Sequence, residues 1–212
     1  MILKRFIVGP LETNCYLIAC NETRRALLID AGFMEENEGL RIVEEIERSR
    51  LDLKYVLSTH WHPDHTAGNE YLRRRLGAKI LIHEEDAPML CAKGFSNFLG
   101  LSTKPHFPDA TVRDNDLITI GSIRLRVIHT PGHSKGSISL LGEGFVFTGD
   151  TLFAGSIGRT DLLGGSFEEI IQSIRNRLMM LPEDTQIYPG HGPFSSIGKE
   201  KRTNPFLSED FQ

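Results

Sequence analysis

The sequence contains few cysteines and no long apolar run, and each of these absences excludes a class of protein. Its three cysteines, Cys15, Cys20 and Cys91, show no Cys-x-x-Cys spacing, which argues against a disulfide framework and favours a reducing compartment. Apolar runs such as Ala26 to Ile29 are far shorter than the ~18 residues that a membrane span needs. Met1 to Pro10 holds too little apolar sequence for a signal peptide. We therefore expect a cytoplasmic protein without a membrane partner.

An excess of positive charge is also absent. The chain has 24 Lys and Arg against 28 Asp and Glu, for a net charge of -4, so no global basic field would attract nucleic acid. The hydrophobic share of 40% and the charged share of 25% are those of a globular chain. With 212 residues and no low-complexity linker, the sequence predicts one domain that spans residues 1–212.

Apolar patterning predicts short strands interleaved with helices. The predicted strands are Ile2 to Val8, Cys15 to Ala19, Ala26 to Ile29, Tyr55 to Ser58, Lys79 to Ile82, Leu117 to Ile120, Ile123 to Ile128, Ser137 to Leu141, Phe145 to Phe147 and Gln186 to Tyr188. The predicted helices are Glu36 to Arg50, Ala67 to Leu76, Glu84 to Cys91 and Ser166 to Leu181. A long loop is predicted from Ala92 to Asp109, and loops of that length are often lids or binding loops. This order favours an α/β sandwich, with two facing sheets covered by helices.

The segment Thr59 to His65 concentrates the side chains that bind metals. It reads THWHPDH and directly follows an apolar, strand-like run. In an extended loop His60 and His62 project to the same side and can share one metal, while Asp64 and His65 turn toward a second. Clustered ligand types in a chain with only 8 His favour metal binding over a polar loop, and the spacing indicates two metals.

Three further ligand types follow the ends of other predicted strands. They are His133, Asp150 and His191, and each directly follows a glycine. Because open α/β folds bind ligands at the carboxyl ends of their strands, these side chains predict a site along one rim of the sheets. Glycine at 132, 149 and 190 would permit the sharp turns that aim the side chains at a common point. The other three histidines, His83, His106 and His129, lack a partner motif and are expected to have ordinary roles.

These motifs resemble the metallo-β-lactamase fold superfamily, and within it the glyoxalase II-like branch of hydroxyacylglutathione hydrolases. The resemblance runs from Asn14 to His191, and the stretch most specific to the branch is Leu152 to Asp161, LFAGSIGRTD. It implies a four-layer αββα sandwich with the metal site along one rim of the sheets. Longer members of the branch have a C-terminal helical region that holds glutathione. Since this chain ends at Gln212, soon after His191, the resemblance implies a short form without that region.

The resemblance also implies roles for particular residues. One metal would be bound by His60, His62 and His133, and the other by Asp64, His65 and His191. Asp150 would bridge the two ions, and Asp30 would orient a ligating imidazole. Basic residues near the metals, above all Lys135 and Arg159, are candidates to bind an anionic tail such as the carboxylates of glutathione, although Arg159 can instead pair with Asp161. The nitrogen and oxygen ligands suit two divalent ions, with zinc as first choice and iron or manganese as alternatives.

Such a site predicts hydrolysis. A metal pair lowers the pKa of a bridging water, so that a hydroxide becomes the nucleophile, and it polarises a carbonyl at the same time. Asp64 and Asp150 are the predicted catalytic carboxylates. A thiolate leaving group needs little general acid, because its conjugate acid has a pKa near ~8.5. We therefore expect a small acylthiol substrate such as S-D-lactoylglutathione.

The alternative within the same fold is a persulfide dioxygenase. Such enzymes are similar in the same motifs but use a single iron, which His60, His133 and Asp150 would hold, with oxygen as co-substrate. A β-lactamase fits less well, since Gly158 to Asp161 resembles the glyoxalase II-like branch. A nuclease would need more basic charge than this chain carries.

Overall fold

The computed structural model of the chain describes residues 1–92, 97–98 and 100–207. Within them, the first half of the chain supplies strands β1 to β8. Their bounds are Ile2–Val8, Thr13–Ala19, Arg25–Ile29, Asp52–Leu57, Lys79–His83, Asn97–Phe98, Leu101–Ser102 and Ala110–Val112. The second half supplies strands β9 to β16, with the bounds Leu117–Ile120, Ile123–His129, Ile138–Leu141, Phe145–Gly149, Leu152–Phe153, Ser156–Ile157, Gln186–Pro189 and Ser195–Ser196.

Helices α1 to α6 connect these strands. Their bounds are Glu36–Arg48, Pro63–Thr66, Asn69–Leu76, Ala87–Cys91, Phe167–Ser173 and Ile197–Thr203. A π-helical turn, Ile174–Leu178, continues α5, and a 3-10 turn, Pro205–Leu207, follows α6. Among the described residues no helix is long and apolar enough to span a bilayer.

The strands form two six-stranded sheets. The order is β1-β2-β3-β4-β5-β8 in the first and β16-β15-β12-β11-β10-β9 in the second. Strands β3, β4, β5 and β8 run parallel, and so do β12 and β15. Parallel neighbours place their carboxyl ends at the same edge of a sheet, which is the edge where the sequence predicts the site.

Side-chain alternation along β2 shows how the layers are built. Tyr16 and Ile18 lie in the apolar core between the two sheets, in the same cluster as Phe147. Leu17 points to the opposite face, where it joins the cluster that includes Ile42 of α1. On the outer face of the second sheet, the helical residues of α5 and α6 form a third cluster. A strand buried on both faces explains why β2 is apolar from Cys15 to Ala19, and the expected αββα sandwich is confirmed.

Two predicted helices are shorter than expected. The helix predicted from Ser166 to Leu181 becomes π-helical at Ile174, where the Met179 N–H donates to the Ile174 carbonyl at 2.8 Å. In the wider π-helical turn, residues four apart lie closer to the same side of the helix axis than in an α-helix. Ile170, Ile174 and Leu178 therefore all stay on the buried side. The helix predicted from Glu84 begins only at Ala87, because residues 84–86 form a turn after β5.

The other two predicted helices agree with α1 and α3 apart from one end of each. Every predicted strand is present: Ile2 to Val8 and Leu117 to Ile120 have the predicted bounds, and the others have shifted ends. The long loop predicted from Ala92 to Asp109 contains the paired two-residue strands β6 and β7. Residues 93–96 and 99 of that predicted loop lie outside the described residues.

Candidate metal centre

The predicted ligand side chains meet at one rim of the sandwich, where four strands end. The HxHxDH segment follows β4 in the first sheet, and His133, Asp150 and His191 follow β10, β12 and β15 in the second. Three overlapping sets of donor atoms, each set within 4.8 Å, could hold a metal ion; they are His60, His62 and His133; His60, His65 and Asp150; and Asp64, His65 and His191. The rim location predicted from the sequence agrees with this geometry.

Two glycines make the convergence possible in different ways. Gly132 has φ +128°, a conformation that favours glycine, and the next residue is His133. The chain bends at Gly190 as expected, but Gly190 does not have a positive φ. Instead a Cβ at Gly190 would lie 2.1 Å from Asp150 Oδ1 and 2.8 Å from His65 Cε1. Glycine is required at 190 because the ligands occupy the space of a side chain.

The first group consists of His60, His62 and His133. His133 Nε2 lies 3.1 Å from His60 Nε2 and 2.9 Å from His62 Nδ1. Its other ring nitrogen, Nδ1, lies 2.8 Å from the Arg159 carbonyl oxygen, so Nδ1–H donates there and a lone pair is left on Nε2. All three side chains are buried, and burial lowers the pKa of each imidazole, that of His62 to about 3. The first group therefore presents neutral imidazoles at pH 7.

The second group consists of Asp64, His65 and His191. His65 Nε2 lies 3.3 Å from His191 Nε2 and 3.4 Å from Asp64 Oδ2, and His191 Nε2 lies 3.3 Å from the same carboxylate oxygen. His191 Nδ1 lies 3.0 Å from the Leu11 carbonyl oxygen, to which it donates. The side chain of His191 is 25% exposed, whereas that of His65 is fully buried. The second group is thus the more open of the two.

Carboxylates reverse the electrostatics of the second group. Burial alone would lower the pKa of His65, but Asp150, Asp30 and Asp64 outweigh it and raise that pKa well above its usual value. Burial would also lower the pKa of His191. The hydrogen bonds of His191 to Asp150 and Asp64 outweigh burial and raise this pKa to about 9. Burial would raise the pKa of Asp64, but His65 and His191 hold it well below the usual range. Without a metal, protons therefore occupy this group at pH 7.

Asp150 lies between the two groups. Its Oδ1 is 3.4 Å from His65 Nε2 in the second group, and its Oδ2 is 3.7 Å from His133 Nε2 in the first. Oδ2 also approaches His191 Nε2 at 3.5 Å. Oδ1 is buried and has no hydrogen-bond partner among the described residues. A buried carboxylate oxygen in this state is costly unless a cation meets it.

Asp30 contacts the HxHxDH segment through Thr59 and His65. Its Oδ1 accepts a hydrogen bond from the Thr59 backbone N–H at 2.7 Å, and its Oδ2 accepts from the Thr59 hydroxyl at 2.9 Å. Asp30 Oδ2 also lies 3.0 Å from His65 Nδ1, while Thr59 Oγ1 lies 3.2 Å from His60 Nδ1. Asp30 thus contacts the second group directly and the first group through Thr59. Thr59 has no motif of its own, and sequence reasoning missed this link.

A short helix forms the turn in the HxHxDH segment. The sequence predicted an extended loop at His60 and His62, with Asp64 and His65 turning toward a second metal, and the turn is present as the helical turn α2, Pro63–Thr66, with His62 as N-cap and Pro63 at its first position. Proline fixes a helical φ at that position and needs no hydrogen-bond partner for its nitrogen.

The predicted substrate-binding residues lie at the edge of the site. Lys135 is exposed, and its carbonyl oxygen lies 2.8 Å from His129 Nε2. Arg159 makes two hydrogen bonds of 2.8 Å to Asp161, and both side chains are more than half exposed. The pairing with Asp161 that the sequence offered as an alternative is therefore present. His83, His106 and His129 belong to none of the metal-binding sets, and His83 instead stacks on His129 at 4.2 Å between ring centroids.

The donor atoms fit a metal ion. Bonds of about 2.0–2.1 Å to a tetrahedral zinc place neighbouring nitrogens about 3.3 Å apart, and the imidazole nitrogens within the two groups are 2.9–3.3 Å apart. A neutral imidazole has only one N–H to donate. Since His133 uses its N–H on a carbonyl, its lone pair needs a hydrogen-bond donor or a cation in front of it. Converging lone pairs and the unpartnered oxygen of Asp150 are both satisfied by cations.

One family model and several known proteins match the chain over most of its length. The family model described as "Metallo-beta-lactamase superfamily" matches residues 8–191. Over 207 residues the chain is 35% identical to hydroxyacylglutathione hydrolase GloC of Haemophilus influenzae, with 95% of each chain covered.

Solved structures are similar over nearly the whole chain. The BLEG-1 B3 metallo-beta-lactamase has a TM-score of 0.89 at 33% identity, with 98% of this chain and 100% of that chain covered. TTHA1623 in a di-iron-bound form has a TM-score of 0.84 at 34% identity, with coverage of 96% and 100%. ETHE1 from Myxococcus xanthus has a TM-score of 0.80 at 31% identity, with coverage of 98% and 84%.

Proposed function

Because the chain belongs to the metallo-β-lactamase superfamily, we propose that it is a binuclear metal-dependent hydrolase of thioesters, similar to hydroxyacylglutathione hydrolase. The observation that carries this proposal is the position of Asp150 between the two groups of ligand side chains. Its Oδ1 faces His65 of the second group, and its Oδ2 lies between His133 of the first group and His191 of the second. The similarity to GloC supports the thioester substrate, and the similarity to TTHA1623 in a di-iron-bound form supports a metal pair.

Seven residues would hold the two ions. His60, His62 and His133 would bind the first, Asp64, His65 and His191 would bind the second, and Asp150 would contact both. When bound, two divalent ions lower the pKa of water toward neutrality and polarise a carbonyl group. The donors are nitrogen and oxygen only, which suits zinc, our first choice, as well as iron or manganese.

Asp64 is the residue best placed to handle a proton in this reaction. Its pKa is held well below the usual range, so the carboxylate is ionised and its Oδ2 can accept a hydrogen bond. The Thr13 hydroxyl donates a hydrogen bond of 3.5 Å to this oxygen. A thiolate that leaves needs no general acid, since its conjugate acid has a pKa near ~8.5. The set of residues therefore suits a thioester better than an amide.

Lys135 and Arg159 would bind the anionic part of the acylthiol. Lys135 is exposed beside the loop of His133, so its ammonium can reach a carboxylate without leaving an ion pair that the structure describes. Arg159 would first have to release Asp161. We therefore assign Lys135 the larger part of the binding energy for a charged thiol. The free state of Cys15, Cys20 and Cys91 supports a reducing, cytoplasmic location.

A second candidate is an iron-dependent persulfide dioxygenase. His60, His133 and Asp150 also converge, with Asp150 Oδ2 3.7 Å from His133 Nε2, and three such donors could hold one iron without the second group. Metal count and co-substrate separate the two candidates.

The deciding experiment compares four substrates on one sample of known metal content. S-D-lactoylglutathione, a short acyl-CoA, glutathione persulfide with oxygen-uptake detection and a chromogenic β-lactam would be measured after elemental analysis. We expect two metals per chain and thiol release from the first substrate, with kcat/KM at least about tenfold above that for the β-lactam. Full activity with one metal per chain would refute the binuclear proposal. Oxygen consumption with the persulfide and no thioester turnover would favour the dioxygenase.

A further inference from the structure

A buried carboxylate outside the seven ligand positions connects the two loops that form the first group. Asp86 lies in the turn between β5 and α4, and it is 1% exposed. Its side chain does not cap the helix that follows. Instead it points away from its own segment, toward residues far away in the sequence.

Three donors surround this carboxylate. Its Oδ2 accepts a hydrogen bond from the Trp61 backbone N–H at 3.1 Å and from the Ser134 hydroxyl at 2.6 Å. Its Oδ1 accepts from the Gly136 backbone N–H at 2.7 Å. Burial raises the pKa of Asp86 to about 6 against these donors, so the carboxylate is ionised at pH 7 and accepts from all three.

The positions of the donors give the contact its meaning. Trp61 stands between His60 and His62 in the loop after β4, which belongs to the first sheet. Ser134 and Gly136 follow His133 in the loop after β10, which belongs to the second sheet. Asp86 therefore ties the two sheets together at the point where His133 Nε2 of the second sheet comes within 2.9–3.1 Å of the His60 and His62 ring nitrogens of the first.

The junction is tight and is supported on its other side. A Cβ at Gly136 would lie 2.6 Å from Asp86 Cγ, so only glycine lets the two segments approach this closely. Between Ser134 and Gly136, the Lys135 carbonyl oxygen lies 2.8 Å from His129 Nε2. Three consecutive residues after His133 are thus fixed, two of them by Asp86.

We propose that Asp86 is a positioning residue that sets the spacing of the first group and thereby its affinity for metal. The proposal rests on the proposed metal centre but not on the thioester reaction, so metal binding tests it independently of turnover. The second group makes none of these contacts and serves as an internal reference.

The two groups can be measured one at a time in variant backgrounds. His191→Ala leaves the first group complete, and His62→Ala leaves the second complete. Asp86→Asn and Asp86→Ala would each be placed in both backgrounds, and the Kd for Co²⁺ would be measured by chelator competition while the visible spectrum reports the ligand geometry. Asp184→Ala, which removes an exposed carboxylate far from the site, is the control.

Hydrogen-bond chemistry predicts a graded result. Ala removes the acceptor oxygens that Asp86 offers to the N–H groups of Trp61 and Gly136. Asn has one acceptor oxygen, so it can accept from at most one of those two N–H groups in the present geometry, whichever way the amide is oriented. Ser134→Ala keeps both of them paired and should change little. For the first group we expect Kd to rise about 10- to 100-fold with Ala and less with Asn, together with an altered Co²⁺ spectrum.

The same variants distinguish positioning from mere loss of stability. Circular dichroism and thermal unfolding would establish that each variant folds, and Asp86→Asn remains the test if Asp86→Ala does not. We expect Kd for the second group to stay within about twofold of its value without the substitution. An equal loss in both backgrounds, or an unchanged Kd and spectrum of the first group in a folded variant, would overturn the proposal. Loss of thioester turnover alone would bear on the proposed function and not on Asp86.

Discussion

The two ligand groups lie side by side, but the pKa values of their imidazoles are shifted in opposite directions. In the first group burial lowers the pKa of all three imidazoles, and neighbouring imidazoles add to the effect. In the second, Asp150, Asp64 and Asp30 raise the pKa of His65, and the pKa of His191 rises to about 9. The same residue type is therefore neutral in one group and protonated in the other at pH 7. The number of carboxylates in contact, and not the imidazoles themselves, makes the difference.

This contrast implies two kinds of metal site. A cation that enters the first group meets preformed lone pairs and displaces nothing. A cation that enters the second group must displace protons, but it then gains the charge of Asp64. Because Asp150 lies beside both groups, we expect it to couple metal binding in one proposed site to metal binding in the other.

The largest expected effect removes the carboxylate that the groups share. In Asp150→Ala both sites lose a ligand, and the negative charge that reduces the repulsion between two cations is lost as well. We therefore expect at most one metal per chain and a kcat lower by on the order of 10³-fold or more. Elemental analysis and steady-state kinetics measure this, with Asp184→Ala as the control. Near-normal metal content and turnover in Asp150→Ala would show that the two groups are independent.

The second-largest expected effect is a loss of metal affinity that differs between the two groups. Asp30→Asn keeps the shape of the side chain but removes the charge 3.0 Å from His65 Nδ1. We expect the metal affinity of the second group to fall about 10- to 100-fold, as for other partners of ligating imidazoles, with a smaller loss in the first. Chelator competition in the His62→Ala and His191→Ala backgrounds would show it. A larger loss in the first group would mean that Asp30 acts mainly through Thr59.

The smallest effect is the most direct readout of the contrast. At pH 7 the His62→Ala chain, which keeps the second group, should release about one to two protons on binding a metal, because His65 and His191 have raised pKa values. Fewer should be released by His191→Ala, where neutral imidazoles bind. Metal affinity of the second group should accordingly increase with pH up to about 9, the pKa of His191, while that of the first stays flat above pH 7.

Titration calorimetry in buffers of different ionisation enthalpy measures these protons. Equal proton release from the two variants would contradict the assignment of charge to the groups. A second-group affinity that does not change between pH 7 and 9 would contradict it as well.

Much of the site could be predicted because its ligands follow strands that the sequence marks clearly. Apolar runs such as Tyr55 to Leu57 and Phe145 to Phe147 end where His60 and Asp150 come within reach. These strands belong to different sheets, and the packing of the two sheets face to face brings their ends together. The αββα layers follow from strands that are apolar on both faces. Here local pattern and tertiary structure agree.

What could not be predicted depends on contacts between distant segments. The two-residue strands β13, β14 and β16 are too short to show a period, and helix α2 is set by one proline within a polar segment. Asp86 stands in a Glu-Glu-Asp run that is typical of a helix start, so its sequence context gives no hint of a partner at Gly136. Gly190 was predicted for its backbone freedom, whereas the structure requires it for space.

The division of ligands between the two sheets also determines when the site can exist. Four of the seven side chains come from the segment after β4, but the others come from three loops that are synthesised later, the last of them at His191. The donor set is complete only after both halves of the chain have folded against each other, and such non-local contacts form slowly. A metal ion that binds only the folded state would then stabilise the whole sandwich. It would raise the free energy of unfolding by about 4 kcal/mol at a free metal concentration 1,000 times its Kd. Stripping the metals should therefore shorten the lifetime of the protein toward proteases as well as stop its chemistry.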